Sequence, residues 1–154
     1  MTAFAQASGP AETVAAFYKY SNARSSTFNN RHIQSRKQWY TPALYNLFLL
    51  ELKKEKAMLK AHPGDKPFFG DGLTFRPDDE LCEANGKSYE RTQSIGRVST
   101  GKTRSYVEVK FAYPKECNIE PISYRVNLQK INGKWLISDW TYSSGRTLTR
   151  EMRE

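Results

Sequence analysis

Apolar and polar positions alternate with a period of two through the second half of the chain, most regularly across residues 124–142, where Asn132-Gly133 separates two alternating runs. Asn-Gly between such runs predicts a two-residue hairpin turn, because a type I′ turn needs positive φ at both central positions. The second run breaks its own period: Trp135 and Ile137 share one face, whereas Trp140 and Tyr142 have the opposite parity. One extra residue at Ser138-Asp139, a β-bulge, would return all four side chains to the same face and bend the sheet. Upstream, Tyr89, Arg91, Gln93 and Ile95 alternate, Ser99-Thr100-Gly101 turns the chain, and Val107, Val109, Phe111 and Tyr113 form the next apolar face. Tyr124, Val126 and Leu128 continue it after a loop over residues 114–121.

The first part of the chain has a helical period instead. Gly9-Pro10 opens a helix carrying Val14, Phe17, Tyr18 and Ser21, with proline at its first position. Residues 31–40 read either as a short helix or as an ordered loop. Thr41-Pro42 then caps a second helix, whose front half is apolar nearly all round and is expected to be buried on most sides. Its back half is amphipathic, with Lys53, Lys54, Lys56 and Lys60, and His62-Pro63-Gly64-Asp65 ends it. Residues 63–86 are the least regular. Phe68, Phe69, Leu73 and Phe75 imply that they fold back over an open end of the core. The charged tail, 146–154, frays or forms a short helix.

Composition adds a size and a charge to this picture. With 154 residues the chain fits one domain. No apolar run approaches the roughly 20 residues of a membrane span. Before Ser8, Ala3-Phe4-Ala5-Gln6-Ala7 reads as the end of a secretory leader with an A-x-A cleavage site. Residues 1–7 are then a signal-peptide remnant and 8–145 the domain, the alternative being an ordinary alanine-rich tail. Cys82 and Cys117, the only cysteines, suit a disulfide in an exported domain, two free thiols being the other reading. Together these features point to a periplasmic or secreted protein. The two histidines lack the spacing of a closed zinc site, so no metal and no cofactor is expected.

Helices followed by a run of antiparallel strands define an α+β class: N-terminal helices packed on a curved sheet of about four to five strands. Phe17-Tyr18 in the first helix, Tyr40-Thr41-Pro42-Ala43-Leu44 at the second, and the ending Gly133-Lys134-Trp135-Leu136-Ile137-Ser138-Asp139-Trp140-Thr141-Tyr142 resemble the nuclear-transport-factor-2-like superfamily, with its cystatin-like cone. Within it the likeness is to a bacterial exported family of unknown function, over roughly residues 10–145. The resemblance implies a cone with a pocket at its open end. It transfers no catalytic residue.

Some members of that superfamily are isomerases, hydrolases or dehydratases, so an acid-base group is sought here. His32 and His62 fall on no inward strand position. Asp139 sits at the bulge, either satisfying loose amides or aimed at a site. Arg91 and Gln93 share parity with Tyr89 and Ile95, so they either line a wet pocket beside Tyr124, Trp135 and Tyr142 or sit in water on an edge strand.

The net charge of +8 comes from Arg31, Arg36 and Lys37, from the lysines of the second helix, and from Arg146, Arg150 and Arg153, each read as a solvated face. It favours acidic partners. No nucleic-acid motif accompanies it. No catalytic set is assigned. The favoured reading is a non-enzymatic exported domain that binds a small ligand or a protein partner, an immunity or accessory protein being one form. The alternative is a cone-fold enzyme for a small hydrophobic or anionic molecule, using Asp139, Arg91 or Tyr124. Homodimerisation through the sheet's outer face is a third reading.

Overall fold

A computed structural model describes residues 9–67, 69, 75–77 and 80–153. The leader-like segment, Phe68 and Leu73 lie outside the described residues. Helix α1 spans Pro10–Asn22. A short helix α2, Asn30–Ser35, and one 3-10 turn, Lys37–Trp39, occupy the stretch that was open between helix and loop. Helix α3 runs Pro42–Ala61, with the Thr41 hydroxyl accepting from the Leu44 N–H at 3.2 Å. Six strands follow: β1 Cys82–Ala84, β2 Lys87–Tyr89, β3 Thr92–Thr100, β4 Arg104–Ala112, β5 Ile122–Ile131 and β6 Lys134–Thr141. The last element is α4, Leu148–Arg153.

Strands β3 to β6 form one antiparallel sheet in chain order, and β1 and β2 form a separate two-stranded hairpin. The β1–β2 and β5–β6 hairpins turn on Asn-Gly pairs with positive φ at each residue, Asn85 and Gly86 in the small one, Asn132 and Gly133 in the large one. In β6 the register slips as expected: Asn127 faces Asp139, Leu128 faces Ile137, and Ser138 is the extra residue. Trp135, Ile137 and Trp140 are consequently all buried on the concave face. A second bulge, between Ile95 and Val98 of β3, bends the sheet at its far edge.

Three expectations need correction. Tyr89 does not continue into the strand of Gln93 and Ile95; it pairs with Cys82 in the small hairpin, whose Asn85-Gly86 turn fixes where that strand ends. The front half of α3 is not buried on most sides. Leu44 and Phe48 are, but Leu50 is 57% exposed, because the core lies against one flank of this helix only. Arg36 belongs to no solvated face: it is fully buried, donating from Nε to Ser21 Oγ, from Nη1 to the His32 carbonyl and from Nη2 to the Ser25 carbonyl, each at 3.0 Å. Those bonds fasten the chain between α1 and α2 around a guanidinium.

The concave face is filled by aromatic rings from every layer. Phe17, Tyr18, Phe48, Phe75 and Trp140 are each at most 1% exposed. Tyr18 Oη donates to the Phe75 carbonyl and accepts from Trp140 Nε1 at 3.1 Å, joining α1, the segment before β1, and β6. Burial holds the Tyr18 phenol well above its usual range, so it stays a neutral donor. Phe69 and Phe75, described residues of the irregular segment, are both part of the core. At the other end, the charged terminus takes the helical alternative: Leu148 and Met152 of α4 enter the core, and Lys54 Nζ donates to the Met152 carbonyl at 3.0 Å.

Tyr18 and Tyr40 offer a controlled contrast, since both phenols are buried but the Tyr40 hydroxyl has no hydrogen-bond partner among the described residues. Tyr18→Phe strands a carbonyl and an indole N–H and is expected to lower unfolding free energy by about 2 kcal/mol, whereas Tyr40→Phe should change it by less than about 1 kcal/mol, in the stabilising direction. Urea titration of the two variants measures both.

Glu55 supplies a pH test. Burial, reinforced by the neighbouring Glu51 carboxylate, raises its pKa, and its Oε2 is buried without a hydrogen-bond partner among the described residues. The folded state therefore holds the Glu55 proton to higher pH than the unfolded chain does, so this group's contribution falls as pH rises. Glu55→Gln should stabilise the protein at neutral pH, and the gain should vanish below the pH at which the carboxyl is protonated in both states.

Candidate functional site

The inward face of the sheet ends in a run of aromatic side chains at one rim. Phe111 of β4 packs on Tyr18 at a ring-centroid distance of 6.1 Å, on Tyr124 of β5 at 5.3 Å, and Tyr124 in turn meets Tyr142, just past β6, at 4.9 Å. Above Phe111 opens a cleft of about 480 Å³, walled by Asn22 at the end of α1, by Pro77 and Leu81, and by Arg91 and Gln93. A second hollow of about 440 Å³ shares Arg76, Pro77, Glu80 and Arg91 with it and reaches Tyr124 and Tyr142.

Polar groups in the cleft are linked to one another. Arg76 Nη1 donates to Asn22 Oδ1 at 3.4 Å, and Asn22 Nδ2 donates to Gln93 Oε1 at 3.2 Å. The Arg91 guanidinium lies 5.0 Å from the Tyr113 ring centroid, within cation–π range. Tyr113 Oη donates to the Glu80 carbonyl, tying the outer lip to the end of β4. The same lip is held covalently: Cys82 of β1 is bonded to Cys117 of the loop between β4 and β5, as expected, at a sequence separation of 35. Leu81, beside that bond, is 60% exposed.

Of the five expected ligand-binding residues, Arg91 and Gln93 line the first hollow and Arg91, Tyr124 and Tyr142 the second. Trp135 does not join them. Its cross-strand partner is Lys130, six residues along β5 from Tyr124 and hence about 20 Å away. It is 7% exposed in the core, with the Lys130 ammonium 5.7 Å from its ring. Parity put Trp135 on the right face, but position along the strand put it at the wrong end. Sequence reasoning missed Arg76 and Asn22, which reach the cleft from an irregular segment and a helix end; nothing in a strand period points to either.

Asp139 is occupied structurally. Its Oδ1 accepts from the Trp140 N–H at 2.9 Å and the Thr149 N–H at 3.0 Å, and its Oδ2 from the Thr149 hydroxyl at 2.6 Å. It thus ties the bulge to the first turn of α4. His32 is bonded through Nδ1 to the Thr27 carbonyl at 2.8 Å, and His62 caps the end of α3. Among the described residues no cluster of three or more His, Cys, Asp or Glu is arranged to hold a metal, and no helix is long and apolar enough to cross a membrane.

No protein-family model, curated protein or solved structure matches the chain. What fold and site define together is an α+β domain with a filled aromatic interior and a disulfide-braced, arginine- and tyrosine-lined cleft at its rim.

Removing the brace should loosen that lip. In the chain-entropy picture the Cys82–Cys117 crosslink contributes about 4 kcal/mol by restricting the unfolded chain. The double Cys→Ser variant is expected to melt at markedly lower temperature, and hydrogen exchange should quicken first in residues 80–90 and 113–121.

Proposed function

We propose that this protein is a non-enzymatic exported binding domain, of the nuclear-transport-factor-2-like kind, whose rim cleft takes a small ligand or a segment of a protein partner bearing an anionic or amide group. The observation that carries the reading is a pair of adjoining hollows at one rim that share Arg76 and Arg91, the first adding Asn22 and Gln93 and the second Tyr124 and Tyr142, with Glu80, Glu90 and Glu151 as their acidic members. Guanidinium and carboxamide groups suit a carboxylate or amide, and the aromatic floor suits an apolar body. Export is favoured by the disulfide, which belongs to oxidising compartments, together with the leader-like start. An immunity or accessory role, with the cleft or the sheet's outer face against an acidic partner, is the specific form.

Against the enzymatic alternative stands the loss of its acid: both Asp139 oxygens are engaged by Trp140 and Thr149. The described residues lining the two hollows include no Ser, Cys, His or Lys, and the carboxylates left to the alternative are those of Glu80, Glu90 and Glu151.

A thermal-shift screen of carboxylates, amides and short acidic peptides tests the reading. A ligand at 100 times its Kd should stabilise the protein by about 2.7 kcal/mol. The shift should shrink in Arg91→Gln and Gln93→Ala and persist in Lys134→Gln, which alters the exposed turn of the large hairpin. Turnover of any screened compound, abolished by Arg91→Gln, would establish the enzymatic alternative instead. A ligand or partner whose binding ignores both cleft variants would remove the cleft from the proposal.

A further inference from the structure

On the other side of α1 from the sheet's rim cleft lies a smaller pocket of about 340 Å³, where the end of α1, the connecting loop and α2 meet. Its charged lining is entirely basic: Arg24, Arg31, His32 and Arg36, with no carboxylate among the described residues that form it. The two ion pairs described, Lys54–Glu51 and Arg146–Glu151, involve none of these arginines.

Arg36 makes this more than a patch of surface charge. It is 0% exposed, and its three bonds are to a hydroxyl and two carbonyls, all neutral acceptors. A guanidinium carries five N–H donors, so three single bonds leave two donors over. A buried charge without a counter-charge is costly, and burial lowers the Arg36 pKa accordingly. The cation is held in place by the loop and lies 5.6 Å and 5.5 Å from the Tyr20 and Phe75 ring centroids, but no described carboxylate neutralises it.

The neighbouring groups are pre-set in the same way. Arg24 donates to the Tyr20 carbonyl at 3.2 Å with its guanidinium 3.9 Å from the Tyr20 ring centroid, which fixes a long side chain at the pocket edge. His32 Nδ1 faces a carbonyl, so Nδ1 carries the proton there, and Nε2 is the ring's remaining polar atom. Arg31 is exposed and completes the set from α2.

We propose that this pocket is an anion site for a phosphoryl group, held by the exposed Arg24 and Arg31 over the buried Arg36 cation, with His32 alongside. A carboxylate presents one fork of two oxygens, matched by a single guanidinium; a phosphoryl group presents three acceptor oxygens and can meet two guanidinium groups while its charge faces the buried third. The volume falls near the lower end of the roughly 300–1,000 Å³ of small-molecule sites, suiting a headgroup. A phosphorylated soluble metabolite and a phospholipid headgroup present the same chemistry. This site shares no lining residue with the rim cleft and stands whether or not the cleft binds a ligand.

The test is calorimetric titration of the intact protein with inorganic phosphate and, separately, with phosphatidylglycerol vesicles against phosphatidylcholine vesicles. Arg24→Gln/Arg31→Gln removes two exposed charges from the pocket; Lys53→Gln/Lys60→Gln removes the same number from the exposed side of α3. Saturable binding of either probe is expected to weaken by about tenfold or more in the first variant and by less than about twofold in the second. The probe that binds more tightly identifies the soluble or the lipid source. Amide shifts on phosphate titration of the unmodified protein should map to residues 20–36, which keeps the test decisive if the arginine variant folds poorly. No saturable binding of either probe, equal weakening in both variants, or shifts confined elsewhere would overturn the site.

Discussion

The hydrogen-bonded contact of Tyr18 with Trp140 and the Phe75 carbonyl is the point on which the layers of this protein close. Each partner comes from a different part of the chain, and each needs a separate condition to arrive. Tyr18 is positioned by the period of α1. Phe75 arrives because the irregular segment returns over the sheet. Trp140 arrives only because Ser138 adds one residue to β6 and reverses the parity beyond it. Without the bulge the indole would stand on the outer face, and the phenol would lose its donor. The bulge is in turn secured by Asp139, whose carboxylate binds the Trp140 and Thr149 amides and so brings α4 against the sheet. A local insertion thus decides how three elements pack, as bulges do where a strand must bend.

A filled interior has a consequence for function. Rings from α1, α3, β6 and the returning segment occupy the space that an open cone would leave to a ligand, so the described concavities lie around it, including a hollow of about 570 Å³ along the sheet beside Ser138 and Asp139 and one of about 440 Å³ beside α3. The rim cleft and the basic pocket are built from polar side chains fixed by backbone carbonyls or by one another. In the cleft the linkage runs Arg76, Asn22, Gln93; in the basic pocket it runs through Arg36 to the loop between α1 and α2. Such fixed donors lose little rotamer freedom when they meet a partner, which is how preorganisation favours binding.

Charge along the sequence is a poor guide to where charge acts here. Arg36 and Lys37 are adjacent, yet one is buried among carbonyls and the other is exposed. Lys54, within a row of helical lysines, bonds the last turn of α4 and the Glu51 carboxylate. These distinctions rest on which neighbour tertiary packing supplies. Residue type alone does not carry it.

The chain by itself determined the elements whose signals are local: the proline-led helix starts, the Thr41 cap, the Asn-Gly turns and, through the parity break before Trp140, the bulge and the shared face of Trp135, Ile137 and Trp140. It also placed Gln93 and Tyr124 on inward positions of β3 and β5 at the rim, with Arg91 and Tyr142 just outside the ends of β3 and β6. Tertiary structure alone decided that Trp135 lies at the opposite end of the hairpin, that Tyr89 belongs to a separate sheet, that Asn22 and Arg76 join the cleft, and that Arg36 is buried. Those outcomes depend on how far along a strand a residue sits and on which irregular segment meets it. Periodicity reports the face of a side chain and is silent about its neighbours across the fold.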